Sequence, residues 1–180
     1  HYINNLRNVI SMTCDIDITG FLNFVKNNGY RFYPCFMWAV SRIINSHDEF
    51  KLGWNNEKQV MVYDVIHPYF AHFYKEDEQC ALLVAEYNDD LEIFHRNFVS
   101  VLEKYKDYRA FEFKDVPENT FNVSCLPWIQ YKSFDIHVFD EGKYLAPVVT
   151  WGKYIQNNKR TVIPLSFNIH HAAADGYHLS

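Results

Sequence analysis

Apolar residues recur along the chain at two spacings, and the spacing of about 3.6 residues indicates helices. It predicts four helices: one over residues 2–11, one capped by Asp17 or Thr19 that ends at residues 27–29, one that opens at Tyr33–Pro34, and a long one capped by Asp89. Proline suits a first helical turn, because no amide hydrogen is missed there. Phe21 and Phe24, at helical spacing in the second helix, are expected in the core.

Alternating or continuous apolar runs predict the strands. They cover residues 13–18, 60–63, 69–74, 80–86, 120–125, 131–138, 146–153 and 161–170, with a loop over 111–119. Strands and helices do not alternate regularly. We therefore expect an α/β fold of the α+β type, a two-layer sandwich in which helices cover a mostly antiparallel or mixed sheet. Residues 1–180 are expected to form a single domain.

Composition and charge exclude several classes of function. The net charge of −5 and the scattered Lys and Arg residues leave no basic stripe for nucleic acid. No apolar run reaches the ~18 residues of a membrane-spanning helix, and no Gly-rich motif indicates a nucleotide or dinucleotide site. The four cysteines lie far apart in apolar contexts, which predicts reduced packing residues in a cytoplasmic protein. The chain begins with His and ends abruptly, so we expect it to lack an N-terminal segment and a C-terminal helix.

The strongest chemical signal is the stretch that follows the last apolar run, from His170 to Asp175. Adjacent residues on a strand point to opposite faces, so His170 and His171 cannot both enter one cleft. An imidazole titrates near neutral pH and can remove a proton from a hydroxyl or thiol. Asp175 could fix the turn as a buried charge if an arginine paired with it. Packing without catalysis remains open for both histidines.

A zinc site at His170, His171, Asp175 and His178 is a poor alternative. Adjacent strand residues diverge, and no Cys-x-x-Cys or His-Glu-x-x-His motif accompanies them. We therefore expect no metal.

The His-His-x-x-x-Asp-Gly pattern is similar to the signature of acyl-CoA-dependent acyltransferases, of which condensation domains and dihydrolipoyl acyltransferases carry close versions. Further matches follow in order: Asp15–Thr19, Arg31–Pro34, Asp48–Phe50, Ser124 in Ser-x-x-Pro-Trp, Ser133–Asp135, Ala146–Thr150 and Gly152–Tyr154. With these segments the chain resembles the chloramphenicol acetyltransferases along almost its whole length.

This resemblance implies the family's sandwich fold, a homotrimer with active sites at subunit interfaces, and acetyl-CoA as a co-substrate with no tightly bound cofactor. It implies that His171 is the general base and that Ser124 donates a hydrogen bond to the oxyanion. Thr150 would stabilise the same intermediate through water, and Asp175 would pair with an arginine upstream of His1, a role for which Arg7 is a poor substitute. Four residues lie at or beside family positions for the acceptor, although core packing explains them equally well: Asn122, Phe134, Ile136 and Val148.

The expected function is acetyl transfer from acetyl-CoA to a hydroxyl of chloramphenicol, which gives antibiotic resistance. Gln79–Ala81 stands where many family members have Thr-Phe-Ser, so an acyltransferase with another alcohol or amine acceptor is the first alternative. A non-catalytic trimeric binding module is the second.

Overall fold

The computed structural model describes residues 1–109, 116–138 and 140–180, and these contain nine strands and three α-helices. The strands are β1 (Val9–Asp17), β2 (Leu52–Trp54), β3 (Val60–Val62), β4 (His67–Tyr74), β5 (Gln79–Val84), β6 (Thr120–Leu126), β7 (Val148–Gly152), β8 (Ile155–Asn157) and β9 (Arg160–His170). The helices are α1 (Thr19–Asn27), α2 (Phe32–Asn45) and α3 (Leu91–Lys104), and a short 3₁₀ turn covers Asp48–Phe50.

Seven strands form one mixed sheet in the order β1-β9-β7-β6-β4-β5, with β8 paired to β9. Strand β6 runs parallel to both β4 and β7, and the remaining pairs in this sheet are antiparallel. Strands β2 and β3 form a separate antiparallel hairpin. The sheet is therefore mixed, as the sequence predicts.

The three helices that the sequence predicts after residue 18 all form. Local sequence features explain how α2 and α3 begin. In α2, Pro34 occupies the first turn and the apolar face is buried. In α3, the cap is Asp90 rather than the predicted Asp89, because the Asp90 side chain accepts from the N–H groups of Glu92 and Ile93. Asp89 instead accepts a hydrogen bond from the Tyr87 hydroxyl.

The hydrophobic core lies between the helices and one face of the large sheet. Phe36 of α2 meets the ring of Trp151 on β7 at 5.1 Å between centroids, and Phe98 of α3 stacks on Phe70 of β4 at 4.9 Å. Large rings on alternate strand positions thus fill this layer, as expected for a face covered by helices. The opposite face carries polar side chains, among them Ser124 on β6 and Thr150 on β7.

Several sequence predictions are wrong. Residues 2–11 are not helical: residues 2–5 form a turn, Leu6 is exposed, and residues 9–11 belong to β1, which pairs with β9. Residues 131–138 form no strand, and β2 and β8 were not predicted. Phe24 is 45% exposed rather than in the core. Part of the predicted loop, residues 111–115, lies outside the described residues.

All four cysteines are free thiols, but they do not share one environment. Cys35 is buried, whereas Cys14 is exposed, so Cys14 is not the packing residue that the sequence predicts. No helix in the described part of the chain is long and apolar enough to cross a bilayer.

Candidate active site

A row of hydroxyl side chains crosses the sheet on the face away from the helices. Ser124 on β6 lies beside Thr150 on β7, Thr150 lies beside Ser166 on β9, and Ser166 pairs with Thr13 on β1. The Ser166 and Thr13 hydroxyls are 2.7 Å apart. Thr150 is fully buried, and its hydroxyl has no hydrogen-bond partner among the described residues. The sheet register thus brings together two of the predicted catalytic residues, Ser124 and Thr150.

A second row lies two residues away along the strands, on the same face. Asn122 lies beside Val148, and Val148 lies beside Asn168. Asn122 donates to the Tyr144 hydroxyl at 2.8 Å, and burial raises the pKa of Tyr144 well above its usual value, so the phenol stays neutral. Val148, Asn168 and Tyr144 line a cavity on this face.

The segment after Tyr131 covers these rows, although it is not a strand. The Tyr131 hydroxyl donates to the Thr150 carbonyl at 2.7 Å. With its amide oriented to suit its neighbours, Asn168 accepts from the Ile136 N–H at 3.2 Å and donates to Ser11 Oγ at 2.8 Å. Side chains of the sheet therefore take the hydrogen bonds that a strand partner would otherwise supply.

The cavity between this segment and the sheet has a volume of about 360 Å³. Ile136 and Val148 line it, as do His170, Arg7 and Asp140. Of the four acceptor residues predicted from the resemblance, two therefore line the cavity, and Asn122 reaches it through Tyr144. Phe134 packs against Tyr131 at 5.5 Å between ring centroids instead of lining the described cavity.

His171 follows the last residue of β9 and is held on three sides. Its backbone N–H donates to the Asn8 carbonyl at 2.9 Å. Its ring stacks on Tyr2 with centroids 4.1 Å apart. Its Nδ1 lies 3.1 Å from the Ala174 carbonyl oxygen. A carbonyl can only accept, so Nδ1 carries the proton and Nε2 of the neutral ring holds the lone pair. This is the tautomer that a general base requires.

His170 has the opposite tautomer. Its Nδ1 accepts from the Ala172 N–H at 3.0 Å, so the proton of the neutral ring is on Nε2. The side chain is only 3% exposed. Burial lowers the pKa of His170, and Asp140 offsets this only in part. As expected from strand geometry, the two histidine side chains lie in different environments.

One chain does not bring His171 next to Ser124. In the sheet register, Ser124 and Ser166 lie two strands apart, and His170 is four residues beyond Ser166 on β9. At about 3.3 Å per residue and about 4.8 Å per strand, the Cα atoms of His170 and Ser124 are about 16 Å apart. Two side chains cannot span this distance to one reacting atom.

Asp175 is not the buried charge that the motif predicts. It is exposed, accepts from the Tyr177 N–H at 2.9 Å, and has Oδ1 2.8 Å from Nδ1 of His178. Partial desolvation raises the pKa of Asp175, but hydrogen bonds from His178 and Tyr177 outweigh it, and the pKa is lowered overall. Arg7 lies elsewhere, at the cavity and near Glu141.

A second cavity, of about 400 Å³, was not anticipated from the sequence. It opens where α2 begins and where β6 and β7 end, and aromatic rings line much of it: Phe32, Tyr33, Trp151 and Tyr154. Lys153 and Cys125 also line it. The signal was present in the segments Arg31–Pro34 and Gly152–Tyr154, which match the family but carried no assigned role.

Comparison with known proteins identifies the family. The profile of the chloramphenicol acetyltransferases matches residues 1–180. The chain belongs to the chloramphenicol acetyltransferase family. It is 34% identical to the chloramphenicol acetyltransferase of Clostridium butyricum over 100% of this chain and 83% of that protein. It is also 34% identical to chloramphenicol acetyltransferase 3 of Escherichia coli, over 99% of this chain and 84% of that protein.

Solved structures agree on the fold. A chloramphenicol acetyltransferase superposes with a TM-score of 0.80 and 22% identity over 95% of this chain and 83% of that chain. A dihydrolipoamide acetyltransferase of Azotobacter vinelandii gives a TM-score of 0.72 and 16% identity over 95% of this chain and 76% of that chain. The predicted two-layer fold and the predicted family are confirmed, and family membership makes the chain an acetyltransferase.

Proposed function

We propose that the protein transfers an acetyl group from acetyl-CoA to a hydroxyl of chloramphenicol and so confers resistance to it, acting in the cytoplasm. The observation that carries the chemistry is the hydrogen bond between Nδ1 of His171 and the Ala174 carbonyl at 3.1 Å. It leaves the lone pair on Nε2, where a hydroxyl proton can be accepted. Acetyl-CoA acts as a co-substrate, and no tightly bound cofactor takes part.

The proposed reaction is a direct transfer. Nε2 of His171 takes the proton of the acceptor hydroxyl while the oxygen attacks the thioester carbonyl. The Ser124 hydroxyl donates to the oxyanion of the tetrahedral intermediate, and a water held by the buried Thr150 hydroxyl adds a second donor. Collapse of the intermediate breaks the carbon–sulfur bond, and the CoA thiolate takes the proton back from His171. The acetyl group ends on the acceptor oxygen as an ester, CoA leaves as the thiol, and the enzyme is unchanged.

The neighbouring cysteine does not suit an alternative acyl-enzyme route. Cys125 follows Ser124 in sequence and lines the aromatic cavity. Burial raises the pKa of its thiol to about 12. Because the thiolate is the nucleophilic form, a thiol with this pKa is a poor nucleophile near neutral pH.

The separation of His171 from Ser124 supports an active site built by two subunits. If both side chains act on one intermediate, the base must come from a neighbouring copy, since within one chain the Cα atom of Ser124 is about 16 Å from that of His170, the residue before the base. A closed ring of three identical subunits would repeat this head-to-tail contact and complete three sites. This agrees with the homotrimer that the family resemblance implies. We assign Asp175 a structural role: its hydrogen bonds to Tyr177 and His178 hold the turn that follows His171.

The aromatic cavity suits part of acetyl-CoA. Rings of Tyr33, Trp151 and Tyr154 offer flat faces for an adenine or an apolar wall for the pantetheine arm, and Lys153 offers a charge for phosphate. Its lining residues Cys125 and Trp151 alternate with Ser124 and Thr150 along β6 and β7, so this cavity lies on the helix face of the sheet and the hydroxyl row lies on the other face. We therefore assign the aromatic cavity only to a part of acetyl-CoA distant from the thioester. The thioester and the acceptor meet on the face of the hydroxyl row, where Ile136 and Val148 line the 360 Å³ cavity.

A different acceptor is the second candidate, and the acceptor cavity favours it in one respect. Arg7, Asp140 and Glu141 line the cavity beside its apolar residues. Charged groups of both signs suit an acceptor more polar than chloramphenicol.

The test is release of CoA thiol from acetyl-CoA, followed with a disulfide reagent, with and without chloramphenicol. We expect chloramphenicol-dependent release, and His171→Ala should lower kcat by about 10² to 10⁴-fold. Ser124→Ala should lower it by about 10² to 10³-fold. Release only with other alcohols or amines would favour the second candidate. If the protein binds acetyl-CoA but releases no CoA thiol with any acceptor, a non-catalytic binding module would be favoured.

A further inference from the structure

The acceptor cavity contains two polar atoms that the proposed reaction does not use. Nε2 of His170 and Oδ1 of Asn8 are both buried and have no hydrogen-bond partner in the part of the chain that the structure describes. Both residues line the same cavity of about 360 Å³. They are also neighbours in the fold, because Asn8 precedes Val9, which pairs with His170.

The two atoms have complementary chemistry. Nδ1 of His170 accepts from the Ala172 N–H, so Nε2 carries the proton and is a donor. Oδ1 of Asn8 can only accept. A buried polar atom without a partner is destabilising, so a ligand that supplies both partners gains affinity at this place. A hydroxyl is the small neutral group that both donates and accepts through one atom.

We propose that His170 and Asn8 form a subsite for a second hydroxyl of the acceptor, distinct from the hydroxyl that is acetylated. His170 then has a positive role in recognition within its own subunit's cavity, while His171, on the opposite side of the strand, acts as the base. The choice of chloramphenicol as the probe rests on the proposed function. Chloramphenicol carries two hydroxyls on one propane chain, so one can react while the other is recognised.

The test is equilibrium binding to the full chain without acetyl-CoA, by calorimetry, of chloramphenicol and of its 1-deoxy analogue. The wild-type protein should bind chloramphenicol about tenfold more tightly than the analogue, which is the effect of one or two well-placed hydrogen bonds. Asn8→Leu and His170→Phe keep the side-chain size and remove the acceptor or the donor. Each should reduce the preference to about threefold or less. Asn8 is half-buried, so Asn8→Leu keeps the test valid if His170→Phe does not fold.

Ile136→Val is the matched control, because Ile136 lines the cavity without a polar group. It should weaken both ligands together and leave the preference unchanged. Equal affinity of the wild-type protein for both ligands, or no binding of either, would overturn the subsite. So would an unchanged preference in the variants. The binding assay contains no acetyl-CoA, so its result does not depend on the reaction. A lack of thiol release in the separate kinetic assay would count against the proposed reaction alone.

Discussion

The phenol ring of Tyr2 lies almost parallel to the imidazole of His171, with ring centroids 4.1 Å apart and planes inclined by 18°. Together with the bond from Nδ1 to the Ala174 carbonyl, this stack fixes the ring in two directions. A base that is held in place loses little entropy when it meets the acceptor hydroxyl. Tyr2 is therefore a positioning residue for His171.

Removing the Tyr2 ring should slow the reaction, because the base is then held less firmly. We expect Tyr2→Ala to lower kcat by about three- to tenfold, which corresponds to the loss of one aromatic pair. Tyr2→Phe keeps the stack and should retain most of the activity. Steady-state kinetics of thiol release measures both variants, and equal losses in Tyr2→Phe and Tyr2→Ala would mean that the hydroxyl, not the ring, is what matters.

A methyl group at Gly152 should disturb the junction between β7 and the segment that leads into Tyr131. A Cβ there would lie 2.8 Å from the Ile129 carbonyl oxygen and 2.9 Å from the Tyr131 ring. We expect Gly152→Ala to lower the free energy of unfolding by about 1–3 kcal/mol. Chemical denaturation measures this change.

Gly20 in α1 is the matched control for Gly152. A Cβ at Gly20 would meet nothing within 4 Å, and alanine is the better helix former by about 1 kcal/mol. Gly20→Ala should therefore leave stability unchanged or raise it. A loss of equal size in both variants would show that crowding at Gly152 is not the cause.

Stability should fall as the pH is lowered, partly because of His170. Burial keeps the pKa of His170 below its usual value, so the unfolded chain takes up the proton first, from about pH 6.5 downward. The unfolded state then binds more protons, and the free energy of unfolding decreases until the pH passes the folded-state pKa. Urea titrations between pH 7.5 and 5, at one protein concentration, should show a steeper loss for the wild-type protein than for His170→Gln.

The same reasoning applies to three half-buried histidines, so the test compares the pH dependence of stability in the two proteins rather than in the wild type alone. Burial also lowers the pKa of His67, His72 and His95. These residues contribute equally to the wild-type protein and to His170→Gln. Parallel stability curves for the two proteins would contradict the assignment of a neutral, buried His170.

The sequence predicted correctly those elements that carry a long apolar pattern of their own. The helix at Tyr33–Pro34 and the strand that ends at His170 follow from long apolar patterns. The helix predicted over residues 2–11 does not form, because Val9, Ile10 and Ser11 pair instead with residues 168–170 of β9, far away in the sequence. Residues 131–138 alternate like a strand, but side chains such as Asn168 take their backbone hydrogen bonds.

The candidate site was only partly visible in the sequence. The resemblance named His171, Ser124 and Thr150, and the register shows that the last two are neighbours. The separation of His171 from Ser124 depends on strand order, which no local pattern contains. The tautomers of His170 and His171 depend on the backbone groups of Ala172 and Ala174 in the turn after β9.

The most direct test of the two-subunit site is complementation between two inactive variants. His171→Ala and Ser124→Ala subunits are unfolded together, mixed in equal amounts, refolded and assayed for chloramphenicol-dependent thiol release. If each site takes its base from one subunit and its oxyanion donor from the next, about a quarter of the sites in random trimers regain both side chains. The mixture should then recover about a quarter of the wild-type rate. A mixture no more active than the separate variants would contradict an active site shared between subunits.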